Sequence, residues 1–171
     1  MAHLQYIRMK ANDCPGVAFV RSGCISFISE SFAREANLLG NIDRSNRQTI
    51  YVPVFGGGKL LGWVNDAKIR IDELDFEFKC RLGVMEDKHL PMYCQENFDM
   101  LLGSDLLYAY KLTVDYGSKR GITRRGKIVK FFTEEEIRRI RSHRGRVARV
   151  ICAMMGIFVV MFIIIIISSD Y

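Results

Sequence analysis

Phe76-Glu-Phe-Lys-Cys-Arg-Leu82 alternates apolar and charged residues at every step. A period of two puts Phe76, Phe78, Cys80 and Leu82 on one face and Glu77, Lys79 and Arg81 on the other, which is the pattern of a half-buried β-strand. Moving outward, Leu4–Lys10, Val17–Val20, Thr49–Phe55, Lys59–Val64, Ala67–Ile71, Asp75–Leu82 and Leu112–Tyr116 all have strand character. Turn residues punctuate them: Asn12-Asp-Cys-Pro-Gly16 reads as a hairpin turn, and Gly56-Gly-Gly58 as the flexible tip of a second hairpin. Only Ser29–Leu39 and Met100–Tyr110 read as helices, both short. The pattern predicts a mainly β protein, a small closed β-barrel with one or two short helices, rather than an open α/β sheet with crossover helices.

At 171 residues the chain has room for one ordinary domain and an appendage, which excludes two large catalytic domains. The net charge of +6 is unevenly placed: residues 1–116 hold 13 basic and 15 acidic residues, whereas 117–149 hold 12 basic and 3 acidic. Five cysteines (Cys14, Cys24, Cys80, Cys94, Cys152) are widely separated and form no C-x-x-C pair, so the expectation is reduced thiols, with no disulfide framework, metal site or cofactor. Met1–Lys10 lacks the apolar core of a secretory signal, so the domain is expected to stay on the side of the membrane where it is made.

Val150–Ile167 is an 18-residue run without a charge. As a helix it reaches roughly 27 Å, enough to cross a thin bilayer. A core helix apolar on all sides needs more protein around it than this chain supplies. Arg138, Arg139, Arg141, Arg144, Arg146 and Arg149 precede the run and only Ser168-Ser-Asp-Tyr171 follows it, so the positive-inside rule keeps the N-terminal side cytosolic. The expected topology is tail-anchored and single-pass, with insertion after translation into the endoplasmic reticulum or another membrane that receives such tails. Thr133-Glu-Glu-Glu136 has the form of a capping box and starts a helix at Glu134. The six arginines are candidate contacts for anionic headgroups, and a juxtamembrane basic cluster needs no nucleic acid to explain it.

Three motifs in order carry a resemblance. Val17-Ala-Phe-Val-Arg-Ser-Gly-Cys-Ile-Ser-Phe-Ile-Ser29 and the following Asn41-Ile-Asp-Arg44 are the first, Phe55-Gly-Gly-Gly-Lys-Leu-Leu-Gly-Trp-Val64 the second, and Asp99-Met-Leu-Leu-Gly-Ser-Asp-Leu-Leu107 the third. Together they resemble the retropepsin-like aspartic proteases, most closely the protease domain of the DNA-damage-inducible ubiquitin-shuttle family, through most of residues 4–116. The resemblance implies a small acid-protease barrel over 1–118 and a flap at Phe55, Gly56, Gly57, Gly58 and Lys59. It also implies a second motif at Leu102, Gly103, Ser104 and Asp105. Residues 119–149 are then a basic juxtamembrane linker and helix, 150–167 the membrane helix, and 168–171 a short luminal tail. With the barrel starting within the first ten residues, that family's ubiquitin-like and ubiquitin-binding regions are not expected here, and the resemblance is not taken to imply ubiquitin binding.

Position 21 departs from the family. There the resemblance implies an aspartate, one from each of two subunits, sharing a proton so that one activates water while the other donates to the substrate carbonyl. This chain has Arg21, followed by Ser22, Gly23 and Cys24. A guanidinium keeps its protons, so it neither activates water nor shares one. Two such groups at a dimer axis repel by about 4 kcal/mol at about 4 Å and an effective dielectric near 20. Either the dimer differs or each guanidinium turns toward a carboxylate. Asp105 is expected to be a helix-start cap, as the family carries an aspartate there besides the catalytic one. Cys24 is expected to be a small buried residue, and His3, His89 and His143 lie elsewhere in the sequence. The glycines lack the Lys-Ser/Thr and following helix of a phosphate cradle.

The reading is therefore a catalytically impaired, membrane-anchored pseudoprotease that takes an extended peptide as an added strand. One alternative is an active membrane-anchored aspartic endopeptidase, paired with an intact homologue. Another is a non-enzymatic tether. The expected partners are an extended peptide, membrane lipid through the tail, and a second chain as homodimer or heterodimer.

Overall fold

The computed structural model describes residues 5–52, 56–74, 77–90 and 98–142. It divides into two units, Met1–Glu134 and Glu135–Tyr171.

Strands β1 (Tyr6–Ala11) and β2 (Cys14–Val20) form the first hairpin, with Ala11 opposite Cys14. Asn12 and Asp13 alone make the turn, with φ of 45° and 65°. Two successive positive φ values match the right-handed twist of the flanking strands, and Asn and Asp tolerate them better than most side chains do. The turn is thus shorter than Asn12–Gly16, and Pro15 and Gly16 belong to β2. After β3 (Phe27–Ser29), helix α1 (Glu30–Glu35) starts where the Ser29 hydroxyl accepts the Phe32 N–H at 3.2 Å. It buries Phe32 and Ala33 and stops well before Leu39, because Asn37 enters the left-handed region at φ 55°.

The next elements are β4 (Ile42–Asp43), β5 (Thr49–Val52), β6 (Gly56–Ile71), β7 (Phe78–Met85) and β8 (Met100–Leu102). Helix α2 (Ser104–Ala109) and strands β9 (Leu112–Asp115), β10 (Arg120–Thr123) and β11 (Ile128–Lys130) follow. The main sheet runs β1-β2-β8-β3-β7-β6, and β6 pairs back onto β1, closing the barrel that the strand pattern predicts. Two bulges, at Leu60/Gly62 and Val64/Ala67, bend the 16-residue β6. A strand of that length is roughly 50 Å when straight. Bending lets it serve β5, β4, β7 and β1 in turn. The two segments read from the sequence, Lys59–Val64 and Ala67–Ile71, are one strand interrupted by the second bulge.

The alternation that opens the sequence holds from Phe78 to Arg81 and then gives way to four buried residues, Leu82–Met85, where β7 lies between β3 and β6. Inside the barrel Ile7, Met9, Val20, Ile28, Val64, Ile69, Val84 and Met100 are buried with the α2 residues Leu106 and Leu107. Each such side chain contributes about 1.5–3 kcal/mol relative to exposure.

Three expectations are corrected. Met100–Leu102 is a strand, because it threads between β2 and β3, so the second helix begins only at Ser104. Gly56, Gly57 and Gly58 are not a hairpin tip but pair with Val52, Tyr51 and Ile50 in the β5–β6 ladder. The residues joining these strands, 53–55, lie outside the described residues, and Phe55 with them. Residues 119–130 are not linker: β9, β10 and β11 form a three-stranded antiparallel sheet. The chain then returns to the barrel, where Phe132 exchanges backbone hydrogen bonds with Tyr6 at 2.7 and 3.0 Å.

A helix over 134–142 starts where the capping-box pattern places it. On it Arg139 pairs with Glu135 at 2.6 Å, one turn away. Among the described residues no helix is long and apolar enough to cross a membrane. The run 150–167 lies outside them, as do Arg144, Arg146, Arg149 and the tail 168–171.

Candidate functional site

Strand β2 ends at Val20, beside Leu102 at the end of β8, in parallel register. Past that point both chains leave the sheet. Their next residues, 21–26 and 103–105, are held together by polar contacts.

Arg21 N–H donates to the Leu102 carbonyl at 3.0 Å, and Ser104 N–H to the Cys24 carbonyl at 2.9 Å. The Ser104 hydroxyl accepts the Gly23 N–H at 2.7 Å. Gly23 has φ +84°, so the loop turns there at a residue that takes this conformation without strain. Ser26, fully buried, is the centre of the set. Its N–H donates to both Asp105 oxygens at 3.0 and 3.2 Å, its hydroxyl donates to Oδ1 at 2.6 Å, and the same hydroxyl accepts the Gly103 N–H at 2.8 Å. Gly103 is required by contact: a Cβ there would sit 2.3 Å from the Cys24 carbonyl oxygen and 2.8 Å from Ser26 N.

Asp105 therefore does not cap its own helix, whose N-cap is Gly103 with no side-chain cap. It clamps the other loop instead. The sequence pattern missed Ser26. The available signal was one hydroxyl inside the apolar run Ile25-Ser-Phe-Ile28, a polar group that burial obliges to find partners.

Arg21 is half-buried at the barrel end, with Ser22 and Gly23 exposed beside it. No carboxylate among the described residues pairs with its guanidinium. Among the described residues, then, the second of the two expected resolutions, a guanidinium turned onto an acid, is not seen. Burial pushes the Cys24 thiol above its ordinary pKa, and the nearby Arg21 charge only partly opposes this. Cys24 is therefore a protonated thiol at neutral pH. His89, the one histidine among the described residues, faces Glu86 at 3.3 Å. Among the described residues no group of acids, histidines and cysteines is placed to hold a metal.

Next to Ser22 opens a cleft of about 910 Å³, lined among others by Ser104, Leu107, Tyr108, Leu112 and Tyr116. The Tyr116 hydroxyl lies 3.4 Å from that of Ser22. Tyr108 is 86% exposed, which is unusual for so large a ring on a short helix.

Residues 1–115, which contain both halves of this clamp, match the aspartyl protease family. The chain belongs to that family. Among its relatives is Protein DDI1 homolog 2 of Homo sapiens, 33% identical over 111 residues, which are 64% of this chain and 25% of that protein. DNA damage-inducible protein 1 of Neurospora crassa is 28% identical over 136 residues, 79% of this chain and 28% of that protein. This aspartyl protease-family chain thus spans about a quarter of the length of the curated relatives it matches. Its fold is that of the retroviral protease-like domain of Ddi1 from Leishmania major, with a TM-score of 0.59 at 20% identity over 78% of this chain and 98% of that one. The domain is a retropepsin-like aspartyl protease domain of the DDI1 type.

Proposed function

We propose that this chain is a pseudoprotease: a retropepsin-like domain that binds extended peptides beneath its β5–β6 flap without cutting them, held to a membrane by the tail 150–167. The observation that carries the reading is the clamp at the barrel end. Its loop carries Arg21, at the motif position where the resemblance implies an aspartate, and the nearby acid at the start of α2, Asp105, has both oxygens engaged by Ser26. Water activation requires a group that can release and take up a proton, and a guanidinium does neither. Peptide binding by strand addition needs backbone donors and acceptors on a strand edge, and that requirement is indifferent to residue 21.

The membrane part of the proposal rests on the uncharged run Val150–Ile167 and the arginines before it, with the domain on the cytosolic side. The host membrane is the endoplasmic reticulum or another that accepts tail-anchored chains. Lipid contacts come from the tail and from Arg138, Arg139, Arg141, Arg144, Arg146 and Arg149. Pairing with a second chain is part of the proposal, with the cleft beside Ser22 as the contact region. A heterodimer with an intact homologue would contain a single aspartate.

The test uses the full chain in neutral detergent against a peptide library between pH 3 and 8. Peptides should be retained on the protein and recovered intact, and Arg21→Asp should introduce cleavage. Any cleavage by the unsubstituted chain overturns the pseudoprotease reading, and block by a statine-type transition-state mimic would identify an active aspartic endopeptidase in its place. Retention of the cellular role after removal of residues 1–116 would instead identify a tether. Resistance to alkaline carbonate extraction that disappears on deleting 150–167 is the expected membrane result, and extraction of the full chain would end that part.

A further inference from the structure

Lys10 and Arg70 stand directly opposite one another across the β1–β6 ladder. Like charges in that position work against the sheet. Across the other edge of β1, Lys10 faces Pro15, which offers no charge. The adjoining cations are balanced locally: Arg8 meets Asp72 at 3.4 Å, and Lys68 meets Glu77 at 3.7 Å. Lys10 and Arg70 have no acidic partner among the described residues. Further positive charge lies close by, since Arg8 and Lys130 both sit over the Phe132 ring, at 5.5 and 5.4 Å.

Arg8, Lys10, Arg70, Asp72 and Leu74 line a cleft of about 370 Å³. Beneath it Met9, Ile71 and Leu74 are buried, and β1 is paired along both edges, so the cations project from a rigid floor. Glu73, the other acid near Arg8, is half-buried, and burial pushes its carboxyl pKa up. An uncompensated like-charge pair on a rigid, concave surface is the arrangement expected where an anion from outside supplies the missing charge.

We propose that this cleft binds a phosphate group as a phosphomonoester dianion. Arg8, Lys10 and Arg70 outnumber the two carboxylates beside them, Asp72 and Glu73, which leaves net positive charge for an anionic phosphate group. Two planar guanidinium forks flanking one ammonium suit tetrahedral oxygens better than a single carboxylate. The group could belong to a lipid headgroup or to a soluble phosphomonoester, and position 21 has no part in the site.

The experiment uses the full chain in neutral detergent micelles at constant ionic strength, following the backbone amides of β1 and β6 by NMR. One arm titrates inorganic phosphate, and the other raises the phosphatidic acid content of the micelles. Saturable shifts centred on Lys10 and Arg70 are expected, and Lys10→Gln with Arg70→Gln should weaken binding by about tenfold or more. Saturation with phosphatidic acid alone assigns the site to lipid, and saturation in both arms assigns it to phosphomonoesters generally. Shifts that do not saturate in either arm overturn the proposal, as does unchanged affinity in the double variant. Should that variant fail to fold, Lys10→Glu places a carboxylate opposite Arg70 and should fold while ignoring phosphate. If it binds phosphate as the unsubstituted chain does, the proposal is wrong. Either failure leaves the peptide-binding reading untouched.

Discussion

The Ser26 hydroxyl donates to the Asp105 carboxylate at 2.6 Å across a sequence separation of 79 residues. It joins the loop that carries Arg21 to the start of α2, and Gly103 completes the join from its backbone. The loop's position therefore depends on a contact in which the Arg21 side chain takes no part.

Removing that contact should loosen the loop before it unfolds the barrel. Asp105→Ala leaves the Ser26 N–H and hydroxyl without their acceptor in a buried setting, at a cost of about 1–3 kcal/mol. Asp105→Asn keeps one acceptor oxygen and should cost less. Urea unfolding gives the difference, and faster amide exchange at Ser26 and Gly103 in the alanine variant would locate it. Equal stability of both variants with the unsubstituted chain would mean that the clamp contributes nothing.

Gly103→Ala should be at least as damaging, although it adds only a methyl group. The new Cβ meets a backbone carbonyl oxygen at 2.3 Å, and no side-chain rotation relieves a clash with backbone. Overpacking of this kind costs about 1–3 kcal/mol, with the upper end expected. A drop in the urea midpoint at unchanged slope checks it.

Cys24 should react slowly with iodoacetamide at pH 7.5. Burial raises its pKa, so the thiolate is scarce at neutral pH and the rate should keep climbing above the range of a free thiol, about 8.5. Because the Arg21 charge lowers that pKa, Arg21→Ala should slow alkylation further. A faster reaction in the variant would contradict this sign. Cys80, whose pKa burial pushes up to about 12, should remain unmodified in the native protein.

Asp115 gives a prediction of opposite sign. Hydrogen bonds from the Ser118 side chain and backbone, and from Gly117, hold its pKa below the usual carboxylate value. A lowered folded-state pKa stabilises above the unfolded carboxylate range, roughly pH 4, and the contribution disappears as pH falls through the lower folded value. The protection of the Gly117 and Ser118 amides, relative to their intrinsic exchange rates, should therefore fall at acid pH, with the barrel strands unaffected. Asp115→Asn should remove most of that pH dependence.

The alternation of Phe78–Arg81, the turn at Asn12-Asp13 and the helix start at Glu134 were legible because each is local, written in residues within a few positions of one another. The merging of Lys59–Val64 with Ala67–Ile71 was not legible. A bulge and a chain break look alike until the partner strand is known, and here β7 runs past both segments. Met100–Leu102 misled for a related reason: an apolar run beside a true helix start has the same composition whether it is threaded into a sheet or continues the helix. Strands β10 and β11 were hidden by their charge, since Arg120–Lys130 exposes most of its residues and buries only Gly121, Thr123 and Val129.

The sequence by itself determined the kind of group at position 21, since the proton affinity of a guanidinium is a property of the side chain that no fold removes. It also determined the strand periods and the uncharged character of Val150–Ile167. Only the tertiary structure decided that β6 closes onto β1, that Asp105 holds Ser26 rather than its own helix, and that Lys10 faces Arg70. Such pairings join residues far apart in the chain, and their energies come from burial and register, which no short stretch of sequence contains.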